Sequence, residues 1–152
     1  TSQGIININT NASKPESIVR LFDIGLDSIR VSMNSVRKEY YERYYKPRGY
    51  DFQDVLSSIR AAKKKKGFVS VNYLTMPGFT DSKDEFKVFK EFIETYQIDM
   101  VQWRNLNFDP LEYFNIVKCH PRPSNMLGIR QIIVSLKKSS PVLKMGYYNP
   151  LL

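Results

Sequence analysis

The sequence predicts an α/β protein built from parallel βα repeats, in which about four strands alternate with helices. Short segments of strand character recur four times along the 152 residues, and stretches with helical spacing of their apolar residues follow them. Glycine and proline separate these segments. No linker or low-complexity segment divides the chain, which is long enough for a single domain over residues 1–152. Strands that alternate with helices favour a parallel sheet with right-handed connections.

Four segments are predicted to be strands: residues 4–9, 28–33, 68–74 and 98–103. They are short and rich in β-branched and apolar residues, which is the composition of strands covered on at least one face. Gly25 and Gly67 stand shortly before the second and third strands, where a preceding helix is expected to end.

The intervening segments carry signals for the starts and ends of helices. Pro15 stands among the first positions of the first helix. Asp51 is predicted to cap a helix with an apolar stripe, and Ser82 with Glu85 is predicted to form a capping box at the start of another. The tail, residues 110–152, is predicted to be helical. One helix near residues 125–138 has a predicted buried face of Ile129, Ile132, Ile133 and Leu136.

Composition and charge exclude several classes of protein. No apolar run approaches the roughly 18–20 residues that span a membrane, and no secretory signal is recognisable, so we expect a cytoplasmic protein without a membrane partner. Cys119 is the single cysteine, which excludes an internal disulfide and a metal site built from cysteines of this chain. The net charge of +8 favours an anionic partner, although four lysines at positions 63–66 are explained by a solvated helix end.

Polar residues follow all four predicted strands, at the ends where parallel sheets form binding sites. Taken singly, such residues have ordinary roles in turns and helix caps. Together they predict a shared binding site for a small molecule or cofactor. No catalytic or metal-binding residue is assigned, because the single histidine, His120, lies among prolines in the tail and no glycine-rich phosphate loop is present.

The four strand ends resemble the later strands of radical S-adenosylmethionine (SAM) enzymes. The segments that carry the resemblance are ININTNAS, GLDSIRVSMNS, VSVNYLTMPGFTD and IDMVQWRNLNFDP, which cover about residues 4–110 in the order of that superfamily. The resemblance implies part of a TIM-like partial barrel. It also implies contacts to SAM or the adjoining substrate wall from Thr10, Asn11, Ser32, Asn34, Arg37, Asn72, Leu74, Pro77, Gly78, Trp103, Arg104 and Asn105.

The departure from the superfamily pattern concerns the cluster. Radical SAM enzymes hold a [4Fe–4S] cluster with three closely spaced cysteines, whereas this chain has one cysteine. The resemblance therefore implies a piece of a longer enzyme. The intact enzyme would use SAM and the cluster to generate a 5′-deoxyadenosyl radical that acts on an unidentified peptide, RNA or metabolite. The piece itself is expected to be inactive and to hold no cofactor.

Two alternatives remain open from the residues alone. The chain is a complete small parallel α/β enzyme of another class, or it is a basic nucleic-acid-binding module in which the tyrosines between positions 40 and 50 stack on bases. The interpretation of the chain as a piece of a radical SAM enzyme also predicts that the strand from Gly4 to Asn9 is an edge strand without its neighbour. Such an edge tends to pair with another chain, so a dimer through this strand is expected.

Overall fold

The computed structural model describes residues 4–146, which form one parallel five-stranded sheet with helices packed on one side. The elements in chain order are β1 (Asn7–Thr10), α1 (Pro15–Asp23), β2 (Ser28–Met33), α2 (Lys38–Tyr45), α3 (Phe52–Lys64), β3 (Phe68–Thr75), α4 (Lys83–Tyr96), β4 (Met100–Asn105), α5 (Pro110–Val117), a short 3-10 helix (Pro123–Asn125), α6 (Ile129–Ser139) and β5 (Lys144–Met145). The predicted parallel α/β architecture is confirmed.

Each strand pairs in parallel with the strand that follows it in the sequence, so the order in the sheet is β1-β2-β3-β4-β5. This order keeps the connecting helices on the same side, as in a (β/α) barrel. Register partners in the centre are Ile29 with Val69 and Val71 with Val101. These side chains are fully buried and belong to the main hydrophobic core between the sheet and the helices.

Two predicted strands differ from the observed ones by two residues or more, and the predicted tail differs in content. The first strand was expected over residues 4–9 and runs over Asn7–Thr10, because the amide of Ile6 donates to the Asp27 side chain instead of joining the sheet ladder. The fourth was expected over 98–103 and runs over Met100–Asn105, because the Ile98 amide donates to the carbonyl of Ile93 at the end of α4. The tail was expected to be helical over residues 110–152; its described part, up to residue 146, also contains the strand β5, and residues 147–152 lie outside the described residues.

Caps fix the starts of the helices that position the loops. Asp51 caps α3 as predicted, in a reciprocal capping box with Asp54. At the start of α4 the hydroxyl of Ser82 accepts from the Glu85 amide at 3.2 Å, but the predicted return bond is absent because the Glu85 carboxylate binds elsewhere. The predicted face of α6 is partly confirmed, since Ile132 and Leu136 are buried.

The tyrosines between positions 40 and 50 take part in helix packing. Tyr41 is completely buried, with its ring 4.6 Å from Tyr45 and 4.9 Å from Phe52, measured between ring centroids. Tyr40 packs edge-on against Phe79 at 5.0 Å. Within residues 4–146, every helix is too short or too polar to cross a membrane.

Candidate functional site

The sheet has two faces because side chains alternate along each strand. One face packs on the helices, through residues such as Val31, Val71 and Val101. We call the opposite side the inner face. From the strand registers, it consists of Asn7, Asn9, Ser28, Arg30, Ser32, Phe68, Ser70, Asn72, Leu74, Met100, Gln102, Arg104 and Lys144.

The inner face is polar along the length of the strands, and several of its side chains are buried. The hydroxyl of Ser28 donates to Asn7 Oδ1 at 2.8 Å, and that of Ser70 donates to the carbonyl of Ile29 at 3.2 Å. Burial, and then the neighbouring positive charge of Arg104, lower the pKa of Arg30. The two guanidinium groups therefore lie near one another on this face.

Four residues that the resemblance assigns to the site lie on the inner face: Ser32, Asn72, Leu74 and Arg104. Asn72 occupies the centre, with Ser32 and Gln102 as its register partners on either side. Its Oδ1 is buried, and no described atom donates a hydrogen bond to it. A buried acceptor without a donor is costly unless a ligand supplies one, which makes Asn72 the strongest indication of a binding site here.

Three other assigned residues lie on the helix side of the strand ends. Thr10 is the register partner of Val31, and Asn105 that of Thr75. The indole of Trp103 packs edge-on against the rings of Tyr73 and Phe89, with centroids 5.7 Å apart in each case. The structure therefore separates these three side chains from the inner-face group.

The loops after β1 and β2 hold two assigned asparagines in structural hydrogen bonds. Asn11 Oδ1 accepts from the Ser13 amide at 3.2 Å, which is the turn role expected of an asparagine after a strand. Asn34 is fully buried and donates to the Tyr40 carbonyl and the Tyr113 hydroxyl, both at 3.2 Å. These contacts show how the two loops are shaped.

The loop after β3 contains the assigned Pro77 and Gly78. Gly78 adopts a φ of 88°, a conformation that favours glycine, and its amide donates to Asp81 Oδ1 at 2.7 Å. A side chain at position 78 would approach the Pro121 ring to 3.2 Å. The loop is thus closely packed against the segment that follows α5.

Arg37, the remaining assigned residue, belongs to a network centred on Glu85. The Glu85 side chain is fully buried; its Oε1 accepts from Ser35 Oγ at 2.5 Å and from the Tyr73 hydroxyl at 2.7 Å, and its Oε2 accepts from Arg37 Nε at 2.9 Å. Burial opposes the charge on Arg37, but the adjacent carboxylate raises its pKa overall. Burial and then Glu85 hold the pKa of Tyr73 well above the usual range.

Sequence reasoning assigned Glu85 only to a helix cap, and it did not select the inner-face residues Arg30, Ser70 and Gln102. The signal for the inner face was present, since Ser28, Arg30 and Ser32 alternate with apolar residues in β2. Glu85 had no comparable signal because its partners come from two other segments of the chain.

The described residues, 4–146, contain no group of three or more histidine, cysteine, aspartate or glutamate side chains placed to hold a metal ion. Cys119 is a free thiol of intermediate exposure, and His120 beside it is exposed.

The sequence and the structure were compared with known proteins. No curated protein matches the sequence. Among solved structures, methylornithine synthase (PylB) is 20% identical with a TM-score of 0.66, over 93% of this chain and 40% of that one. HydG, a maturase of the [FeFe]-hydrogenase, is 16% identical with a TM-score of 0.64, over 96% and 34%. A radical SAM methyltransferase from Sphaerobacter thermophilus is 13% identical with a TM-score of 0.59, over 95% and 41%.

At these identities the structures establish the fold, and the chain spans about two fifths or less of the length of each. The sequence itself matches the family model of the radical SAM superfamily over residues 2–93, which is more than half of the 152 residues. The matched region contains β1, β2 and β3 together with the central Asn72 of the inner face. The chain therefore belongs to the radical SAM superfamily.

Proposed function

We propose that the chain supplies part of the wall that binds SAM and substrate in a radical SAM enzyme. The observation that carries the proposal is the buried Oδ1 of Asn72, an acceptor without a described donor at the centre of a polar inner face within the family-matched region. The amino group of adenine and the ribose hydroxyls are donors that suit it.

The residues of the inner face fit SAM by this criterion. Asn72 would accept from the nucleoside, and Ser32 on the neighbouring strand would hydrogen-bond beside it. Bound SAM supplies the radical chemistry of this superfamily, whereas the contribution of these side chains is to bind the nucleoside, orient it and exclude water.

The residues do not fit a [4Fe–4S] cluster, because the chain contains one cysteine and such clusters are held by several thiolates. No step through a cluster is assigned to this chain. We propose that cleavage of SAM depends on residues outside these 152, and that the chain is inactive by itself. The substrate remains a peptide, an RNA or a metabolite.

The genomic reading frame tests the proposal about the cluster. Three closely spaced cysteines encoded in frame about 60–100 residues upstream of Thr1 are expected. A start codon directly upstream would contradict the proposal that the cluster ligands belong to the same polypeptide.

Ligand-detected NMR with SAM tests the binding wall on the chain itself. The isolated chain is expected to retain no cofactor, but SAM added in excess is expected to bind weakly and saturably. Asn72→Ala is expected to reduce this affinity about tenfold, the equivalent of one hydrogen bond of about 1.4 kcal/mol. Asn115→Ala is the matched control, because Asn115 is exposed on α5. Equal affinity in both variants and the parent would refute the assignment of Asn72.

The edge of the sheet supports a proposal about association. Among the described strands β1 pairs only with β2, and the preceding Ile5 and Ile6 are 37% and 56% exposed. We propose that the strand region from Gly4 to Asn9 pairs with another chain. Sedimentation equilibrium is expected to show a dimer that Ile6→Lys weakens; a monomer at all concentrations would count against it.

A further inference from the structure

A polar cavity lies outside the inner face, where α2, the loop before α4 and the segment after α5 meet. Its volume is about 300 Å³. We call it the rim pocket and define it by the residues used below, all of which line it: Arg37, Tyr40, Asp84, Lys118, His120 and Arg122.

Arg37 is held rigidly at this pocket. Its Nε donates to Glu85 Oε2 at 2.9 Å, and the Glu85 side chain is fully buried. Its guanidinium carbon lies 4.3 Å from the centroid of the Tyr40 ring, which fixes the plane of the group. The other N–H donors of the guanidinium have no acceptor among the described residues, and the side chain is 26% exposed where it lines the cavity.

The rim pocket carries positive charge in addition to the ion pair between Arg37 and Glu85. Lys118 and Arg122 add two permanent cations, and His120 adds a further nitrogen donor or acceptor. The opposing carboxylate is Asp84, whose Oδ2 already accepts from Asn125 Nδ2 at 2.9 Å. A guanidinium fixed by a buried acid, with flexible cations around it, is suited to an anion with several acceptor oxygens.

We propose that the rim pocket binds the phosphate group of a small molecule. The cations converge on one cavity rather than forming a stripe, and the volume accommodates a phosphate with a small attached group. The four lysines at positions 63–66 lie at the end of α3 and do not line this cavity. None of the inner-face residues lines the rim pocket, although Arg37 and Gly78, which the resemblance assigns to the SAM or substrate wall, do line it. Binding of pyrophosphate in the absence of SAM therefore tests the pocket separately from the SAM wall.

Isothermal titration of the 152-residue chain with pyrophosphate at low salt tests the proposal. We expect saturable binding to one site, at least tenfold weaker in Arg37→Gln and severalfold weaker in Arg122→Gln. Arg130→Gln is the matched control, with the same change of charge at an exposed position of α6, and is expected to bind as the parent does.

With pyrophosphate, three results would overturn the proposal. These are no saturable binding to the parent chain, equal weakening in Arg130→Gln and Arg122→Gln, or full affinity in both Arg37→Gln and Arg122→Gln. If Arg37→Gln does not fold, Lys118→Gln and Arg122→Gln decide, since both side chains are exposed. A single-stranded RNA tests the class of ligand. If it binds more tightly than pyrophosphate, and if Arg122→Gln weakens its binding by the same factor as that of pyrophosphate, the small-molecule assignment is refuted.

Discussion

Replacement of Glu85 by glutamine measures how much its buried network contributes to stability. The carboxylate accepts three hydrogen bonds, from Ser35, Tyr73 and Arg37. Hydrogen bonds to charged groups contribute about 1.5–3 kcal/mol each. The glutamine amide retains one oxygen and turns its NH₂ group toward a donor, so at least one of these bonds is lost and Arg37 loses its charged partner. We expect Glu85→Gln to lower the free energy of unfolding by about 3 kcal/mol.

Urea denaturation followed by circular dichroism measures this loss. Glu94→Gln is the control, because Glu94 is an exposed residue of the same helix whose ion pair with Lys90 is 4.0 Å long. Such a pair contributes about 0.3–0.5 kcal/mol. A loss for Glu85→Gln no larger than that for Glu94→Gln would refute the reasoning, because the network would then contribute nothing beyond a surface charge.

Further predictions concern packing, capping and alkaline pH. Gly67→Ala places a methyl carbon 2.2 Å from the Phe22 ring and is expected to cost about 1–3 kcal/mol in urea denaturation, whereas Gly4→Ala, with open space around it, is expected to be neutral; equal effects would contradict the contact. Asp51→Ala removes the cap of α3 and is expected to cost about 1 kcal/mol by the same assay; no change would show that the cap is dispensable. Burial on folding raises the pKa of several tyrosines, so these groups do not reduce the free energy of unfolding below about pH 10. Above about pH 10 that free energy is expected to fall by about 1.4 kcal/mol per pH unit for each tyrosine. Equal free energies of unfolding at about pH 9 and pH 11 would contradict this. The tyrosines concerned are Tyr41, Tyr45, Tyr73 and Tyr113.

The central strands were predictable because they are short segments rich in β-branched and apolar residues, which is the composition of buried strands. Residues 28–33 were predicted as a strand and β2 has those bounds; residues 68–74 match β3 to within one residue. The strand β5 was missed, because the two residues Lys144 and Met145 are too short a segment for any periodicity to appear.

The sequence predicted which residues follow the strands but not which face of the sheet each one occupies. The face depends on the strand register, which places Trp103 among the helix-side rings and Asn72 on the inner face. Glu85 was expected to complete a cap with Ser82. Its carboxylate instead binds Ser35 and Tyr73, because these groups approach it only after β2 and β3 have paired.

The strand order has a consequence for the way the chain acquires its structure. Since every strand pairs with its successor in the sequence, each βα unit can dock on the one already formed as synthesis proceeds, without waiting for a distant segment. The ladders are uneven, with six register pairs between β2 and β3 but four for β1 and two for β5. Amide hydrogen exchange should therefore be slowest in β2 and β3 and fastest at the two ends, where the sheet opens first.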